Sequence, residues 1–305
     1  MRKDTDSAHR TRHSRSAFSL APHALMAAAL VLLCGCGGKA DKKSVTAATG
    51  SHPAPDERTL TLAVVPSADL LPLYYAERAG CYRSLGLSVR LETYRSQLDC
   101  DTALLGGRTD GGSADLRRMD LCHKRAYTSA LTPLWTEEDN WQLTVCGTLR
   151  VRNVAALKGR MVAISRQSGE DDALTRTLAA AKLKAESVYR PQVNDLLLRA
   201  RMLDNNQVDA AMLRWPYTSA ATAAGHRVLA TAPSAAESTA LAVQTKRLRG
   251  KGGKDLPALL RRGYNMAVDS LRRPRTPLLL EVLTRDYGLP AEVADTIKLP
   301  PLKKK

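Results

Sequence analysis

Carboxylates and guanidiniums, rather than nucleophiles, are the side chains whose placing in this sequence suggests chemistry. Ser67, Asp69, Gln97, Asp99, Asp101 and Asp115 fall at the ends of expected strands or in the first turns of expected helices in the first part of the chain. Ser165, Arg166, Gln167, Ser168, Arg214 and Trp215 hold comparable places further on. If the acid-rich set faced the arginine-rich set, the two would hold a small polar solute. Its cationic or donor end would meet the acids, and its anionic or acceptor end would meet Arg166, Arg214 and the amides around Ser168. Trp215, Tyr74 and Tyr75 offer faces for a ring or a quaternary amine. A plainer reading stands beside this one: Asp115 and Arg214 bridge two parts of the fold, and Ser168, Asp99 and Asp101 cap helices.

Catalysis has less support. No GxSxG, HExxH or CxxC occurs, and His52, His123 and His226 share no ligand spacing. Asp99 and Asp101 are two residues apart and do not share a helix face, as an acid–base pair on one helix would. No catalytic residue, metal site or cofactor is expected. The net charge of +16 is partly terminal, from Arg2, Lys3, Arg10, Arg12 and Arg15 and from Lys303–Lys305. No helix-turn-helix, zinc finger or aromatic-interleaved basic strand accompanies it, so nucleic acid is not an expected partner.

The elements that would position these residues are α/β units. Thr61–Val65 is a short apolar strand and Ser67-Ala68-Asp69 a loop. A helix begins near Pro72 and ends at Gly80, and Leu87–Leu91 alternates as a second strand. Ligands bind at the carboxyl ends of such strands. Further on, Asp110–Asp115, Trp141–Leu149, Arg160–Ser165, Val208–Leu213 and Thr239–Gln244 read as strands. Leu116–Arg125, Glu170–Lys182, Asn194–Leu203, Leu256–Leu271 and Pro277–Tyr287 read as helices. One plan occurs twice: helix end, turn, two spacers, Asp, small-residue strand. It runs through Leu104–Gly112 and again through Leu203–Ala211, with Asp110 answering Asp209.

The N-terminus reads as an address. A basic head precedes the apolar run Ala24–Leu33, which is too short to span a bilayer. Leu33-Cys34-Gly35-Cys36 then resembles a bacterial lipobox, with Cys36 as the acylated residue. The expected plan is a signal peptide over 1–35 and a flexible tether over 36–58. A first lobe over 59–146, a second over 147–231 and a return to the first over 232–305 follow. Cys81, Cys100, Cys122 and Cys146 leave a disulfide open, with no pair singled out.

The ordered set LAVVPSADLLPLYYAERAGCYRSLGLSVRL, ALLGGRTDGGSADL, LKGRMVAISRQSG and LDNNQVDAAMLRWPY resembles periplasmic solute-binding proteins of the type 2 fold. The nearest group serves importers of nitrate, sulfonates, taurine and thiamine-pyrimidine precursors. The resemblance implies a two-lobed α/β fold. Each lobe would be a mixed sheet flanked by helices, and a two-segment hinge would cross near Val145–Leu149 and Leu229–Pro233. It implies a monomeric, lipid-anchored protein on the periplasmic side of the envelope, handing a small solute to ABC permease subunits. A pyrimidine-synthesis-like enzyme or a partner-binding lipoprotein of the same fold is the alternative. Asp99-Cys100-Asp101 and Asn205-Asn206 depart from the family pattern.

Overall fold

The computed structural model describes residues 59–124, 130–138, 140–233, 238–250, 252–273 and 275–305. The expected signal segment, Cys36 and the tether lie outside them.

The first lobe opens with β1 (Thr59–Val64), α1 (Leu71–Arg78), α2 (Cys81–Ser84) and β2 (Ser88–Thr93). It continues with α3 (Gln97–Leu105), β3 (Gly111–Asp115), α4 (Leu116–His123) and β4 (Leu131–Glu137). The second lobe holds β5 (Gln142–Val145), β6 (Val162–Ala163), α5 (Gly169–Ala180), α6 (Leu196–Asp204), β7 (Ala210–Leu213), α7 (Tyr217–Ala223) and β8 (Arg227–Thr231). The chain then returns through β9 (Thr239–Gln244), α8 (Thr245–Arg249), α9 (Leu256–Leu271), α10 (Pro277–Glu281) and α11 (Ala291–Thr296).

Two mixed sheets result, ordered β2-β1-β3-β9-β4 and β6-β7-β5-β8. In the first, β1 runs parallel to β2 and β3, while β9 is antiparallel to β3 and β4. In the second, β6 and β7 are parallel and β5 is antiparallel to β7 and β8. Each sheet has its own apolar core. Leu60, Leu62 and Val64 pack with Leu71, Tyr74, Leu260 and Tyr264 in one, and Leu143, Val162, Leu174 and Met212 pack together in the other.

The repeated plan is a repeated structure. Gly107 and Asn206 both take left-handed backbone, with φ of 66° and 53°. The amides of Arg108 and Gln207 both return to the helix end, on Ala103 O and Met202 O. Asp110 Oδ2 accepts the amide of Thr61, and Asp209 Oδ2 accepts the amide of Met161, each at 2.9 Å. The shared aspartate therefore tethers neighbouring backbone at the foot of each sheet, far in register from the strands' carboxyl ends.

Three expectations change. The first lobe does not run to residue 146: Gln142–Val145 pairs with β7 and β8, so the chain changes sheet between Glu137 and Gln142. Alternation in this segment marks a strand without naming its partner. The return crossing lies between Thr231 and Thr239, because β8 is itself a strand of the second sheet. β4 was not read from the sequence, since Pro133 and a register shift at Pro133/Trp135 interrupt its pattern, as an edge strand tolerates. Pro277–Tyr287 is a helical turn followed by a π-helical turn over Val282–Asp286 rather than one α-helix. Cys81, Cys100, Cys122 and Cys146 are free thiols, Cys100 and Cys146 being engaged with Ser113 O and with Leu203 O and Asn206.

Gly111 and Gly112 make the centre of the first sheet possible. A Cβ on Gly112 would lie 2.3 Å from Ala63 O. Gly112→Ala should destabilise the protein by about 1–3 kcal/mol through overpacking, read as a fall in the urea midpoint; an unchanged midpoint would show that β1 and β3 can separate freely.

Candidate functional site

The carboxyl ends of β1, β3 and β7 meet along the seam between the lobes. There α5 directs its N-terminus at the end of β3. Asp115 ends β3 and is only 5 % exposed. Its Oδ1 accepts the Arg118 amide at 2.9 Å and so caps α4. Both carboxylate oxygens also accept the amide of Gly169, at 2.9 and 3.2 Å, across the seam. Gly169 is the first residue of α5, whose own cap is Ser168 Oγ, accepting the Asp171 amide.

Arg118 is the second link. Its Nη2 donates to Ser165 Oγ at 3.2 Å, and its Nε lies 3.2 Å from Asp101 Oδ2. The latter contact has the distance of an ion pair without the alignment of a hydrogen bond, since both atoms lack a directed partner. Asp101 Oδ1 accepts Gln97 Nε2 at 2.8 Å and the Asp115 amide at 3.1 Å. Ser165 Oγ in turn donates to Asn194 Oδ1 at 3.1 Å. Beneath this layer, Glu170 pairs with the fully buried Arg199, which also donates to Met212 O at 2.8 Å. Burial pushes the Glu170 carboxyl up, while Arg199 pulls it back.

Arg214 differs from these. It follows β7, whose four residues are all buried, and is itself 6 % exposed. Its Cζ lies 5.0 Å from the centre of the Trp141 ring, a cation–π contact with the segment that crosses between the lobes. Its Nε has no hydrogen-bond partner, while its charge helps to pull the Glu170 carboxyl back down. Two small cavities touch it, of about 10 and 20 Å³, each about the room of one water. Gln97, Asp115, Ser168 and Gly169 line the first. Arg95, Asn194 and Tyr217 line the second.

The seam thus gathers Gln97, Asp115, Ser165, Ser168 and Arg214, with Asp101 directly behind. The other residues read as cleft walls lie elsewhere. Ser67 is buried and gives its carbonyl to Tyr287 Oη at 2.7 Å. Asp69 gives its carbonyl to Tyr264 and lines a separate groove with Glu137 and the 300–303 segment, so it does not face Ser168. Asp99 is exposed, its amide capped by Ser96 Oγ, which also donates to its carboxylate. Arg166 is exposed on its loop. Trp215 turns away into the first lobe's core, donating to Lys298 O at 3.0 Å and packing edge-on against Tyr287 at 5.7 Å. Tyr74 and Tyr75 are core residues too. Strand ends locate a seam, but a loop's direction depends on what packs beneath it, and here the C-terminal segment claims these side chains.

Arg95, Arg118, Trp141, Asn194 and Tyr217 were missed. Trp141 carried a signal in its place at the start of an expected strand. Arg118 looked like surface charge on a helix until the second lobe covered it.

The NMT1/THI5-like family model matches residues 67–242, more than half of the chain. The chain belongs to the NMT1/THI5-like family. Solved structures with the same fold include the alkanesulfonate-binding protein of Xanthomonas axonopodis pv. citri, bound to MOPS. It is 21 % identical, with a TM-score of 0.65 over 79 % of this chain and 83 % of that one. The periplasmic aliphatic sulphonate-binding protein of Escherichia coli is 19 % identical, with a TM-score of 0.60 over 80 % and 82 %. The periplasmic nitrate-binding protein of Synechocystis PCC 6803 is 15 % identical, with a TM-score of 0.63 over 79 % and 69 %. No curated protein matches the chain. The NMT1/THI5-like chain therefore has the periplasmic binding protein fold: two mixed sheets flanked by helices, as the resemblance implied.

Within this family member, burial raises the Asp101 carboxyl well above the usual range, and the neighbouring Asp115 charge adds to the rise. A carboxyl held higher in the folded than in the unfolded chain gives stability that is complete below the unfolded value of about 3.9 and is lost as pH rises through the folded one. The unfolding free energy of wild type minus that of Asp101→Asn should therefore fall as pH rises from about 4. A flat or rising difference across denaturant titrations would contradict this.

Proposed function

We propose that this protein is the solute-binding component of an ABC-type importer, closing its lobes over a small solute that carries an anionic or acceptor group. The observation that supports this is Arg214, a buried guanidinium at the seam with its Nε unpaired. A buried guanidinium with an N–H left unbonded is costly, and a ligand acceptor relieves that cost. Arg95, on the opposite lobe, lines the same small cavity and would supply a second positive charge to the bound group. The sulfonate and nitrate proteins named above share the fold and carry oxyanion ligands in their names, which favours an oxyanion here. The seam's acids, already engaged inside the protein, are less suited than the arginines to hold the solute.

The same reading makes the protein monomeric and lipid-anchored through Cys36, on the periplasmic side of the envelope and serving a permease. Among the described residues no helix is long and apolar enough to cross a membrane. An acyl chain at Cys36, joined to the domain by the 36–58 tether, would hold it at the bilayer. Cys36→Ala should move the protein from the membrane to the soluble fraction on fractionation; retention in the membrane would remove the anchor from the reading.

For the site, native mass spectrometry of the full chain from its own cell envelope should show a co-purified small acid. Arg214→Gln should lose it and bind at least tenfold more weakly, about 1.4 kcal/mol or more. The wild type should gain thermal stability with added solute, about 2.7 kcal/mol at a hundred times Kd. Equal binding by Arg214→Gln in calorimetry would exclude Arg214 as the anchor.

A further inference from the structure

Asp115 occupies the place where α5 would otherwise receive an anion. The N-terminus of a helix concentrates amide donors and positive potential. In α5, twelve residues long, that end is taken by a carboxylate of the other lobe, through both of its oxygens. Arg214, buried and with its Nε unpaired, borders the same cavity as Asp115, Ser168 and Gly169. An arriving oxyanion would therefore meet one committed donor set and one waiting one.

We propose that Asp115 is a resident anion that latches the lobes together without solute and competes with an anionic solute for the seam. The inference rests on the solute-binding reading above. The contact is well placed for this role. Asp115 reaches across the seam from a fixed base, because its Oδ1 also caps α4 and its backbone amide is held by Asp101. Arg118 ties the same corner to Ser165. Arg117 adds an exposed pair to Asp172 at 2.9 Å, in the first turn of α5. Three contacts from the cap and first turn of α4 thus converge on one end of the second lobe. Solute entry would require that corner to open and Asp115 to leave the Gly169 amide. The solute's negative charge would then replace the carboxylate at α5, with Arg214 completing its coordination.

Two substitutions test the latch from its two sides. Asp115→Asn keeps an oxygen to cap α4 but removes the charge. Gly169→Pro removes the donor at the first helical position, where proline is tolerated. Both are made in the full chain, with circular dichroism confirming the fold. Nitroxides attached through unnatural amino acids at the exposed Arg90 and Lys184 report the lobe-to-lobe distance by electron resonance. Without solute, both variants should shift the distribution to longer distances than wild type. Calorimetry with nitrate, sulfate and methanesulfonate should show at least one of them bound tenfold tighter by Asp115→Asn than by wild type. Unchanged distances in both folded variants would overturn the latch. Weaker oxyanion binding by Asp115→Asn would overturn the competition. If no oxyanion binds either protein, the solute reading fails by itself, and the distance distribution still decides the latch.

Discussion

Pairing of buried charge at the seam between the lobes is the constraint on which the rest of this structure depends. Three acids and three arginines lie within the seam and the layer under it. Glu170 is matched to Arg199, and Asp101 to Arg118. Asp115 accepts the first amide of α5. These partners come from different elements and, for Asp115 and Arg118, from different lobes. Removing either member of a buried pair would strand a charge in low dielectric, at a cost far above what the pair itself contributes. Asp115–Gly169 and Arg118–Ser165 therefore join the lobes through buried polar groups.

Around that layer the fold supplies rigid supports. β7 is buried along its whole length and delivers Arg214 to the seam. α4 begins directly at the end of β3, so the residue that ends the strand also caps the helix. Tyr287, from the C-terminal return, fixes the other side. It donates to Ser67 O, accepts from Tyr217, and packs edge-on against Tyr74 and Trp215. One residue of the returning chain thus touches β1's loop, α1 and the second lobe. This explains why the aromatic side chains that might have lined a ligand site belong instead to the joint. Arg78 bonds the same return segment bidentately, to both oxygens of Asp286 at 2.7 and 2.8 Å.

Arg214 differs from Arg118 and Arg199 in that its partner is an aromatic face. Cation–π contact with Trp141 offsets part of the cost of burying its charge but offers no directed acceptor. Trp141 sits in the crossing between the sheets, so Arg214 packs directly on the segment that joins them.

Much of the fold was legible in the sequence because it follows from local rules. Apolar runs, helix caps and the two-fold plan around Asp110 and Asp209 gave the strands, the helices and two similar lobes. Gly107 and Asn206 announced left-handed turns through residue type alone. The seam was half legible: strand ends placed Gln97, Asp115, Ser165, Ser168 and Arg214 together. Local rules do not say which strand pairs with which, so β5 was assigned to the wrong lobe. Nor do they say which way a loop faces, so Asp69, Asp99, Arg166 and Trp215 were read as cleft walls. Those choices belong to tertiary structure, because they depend on which distant segment covers a residue. The C-terminal return took Ser67, Asp69 and Trp215, and the second lobe buried Arg118. The sequence by itself determined that acids and arginines would meet between two lobes. Only the folded chain decided which of them neutralise one another and which one keeps an unbonded N–H.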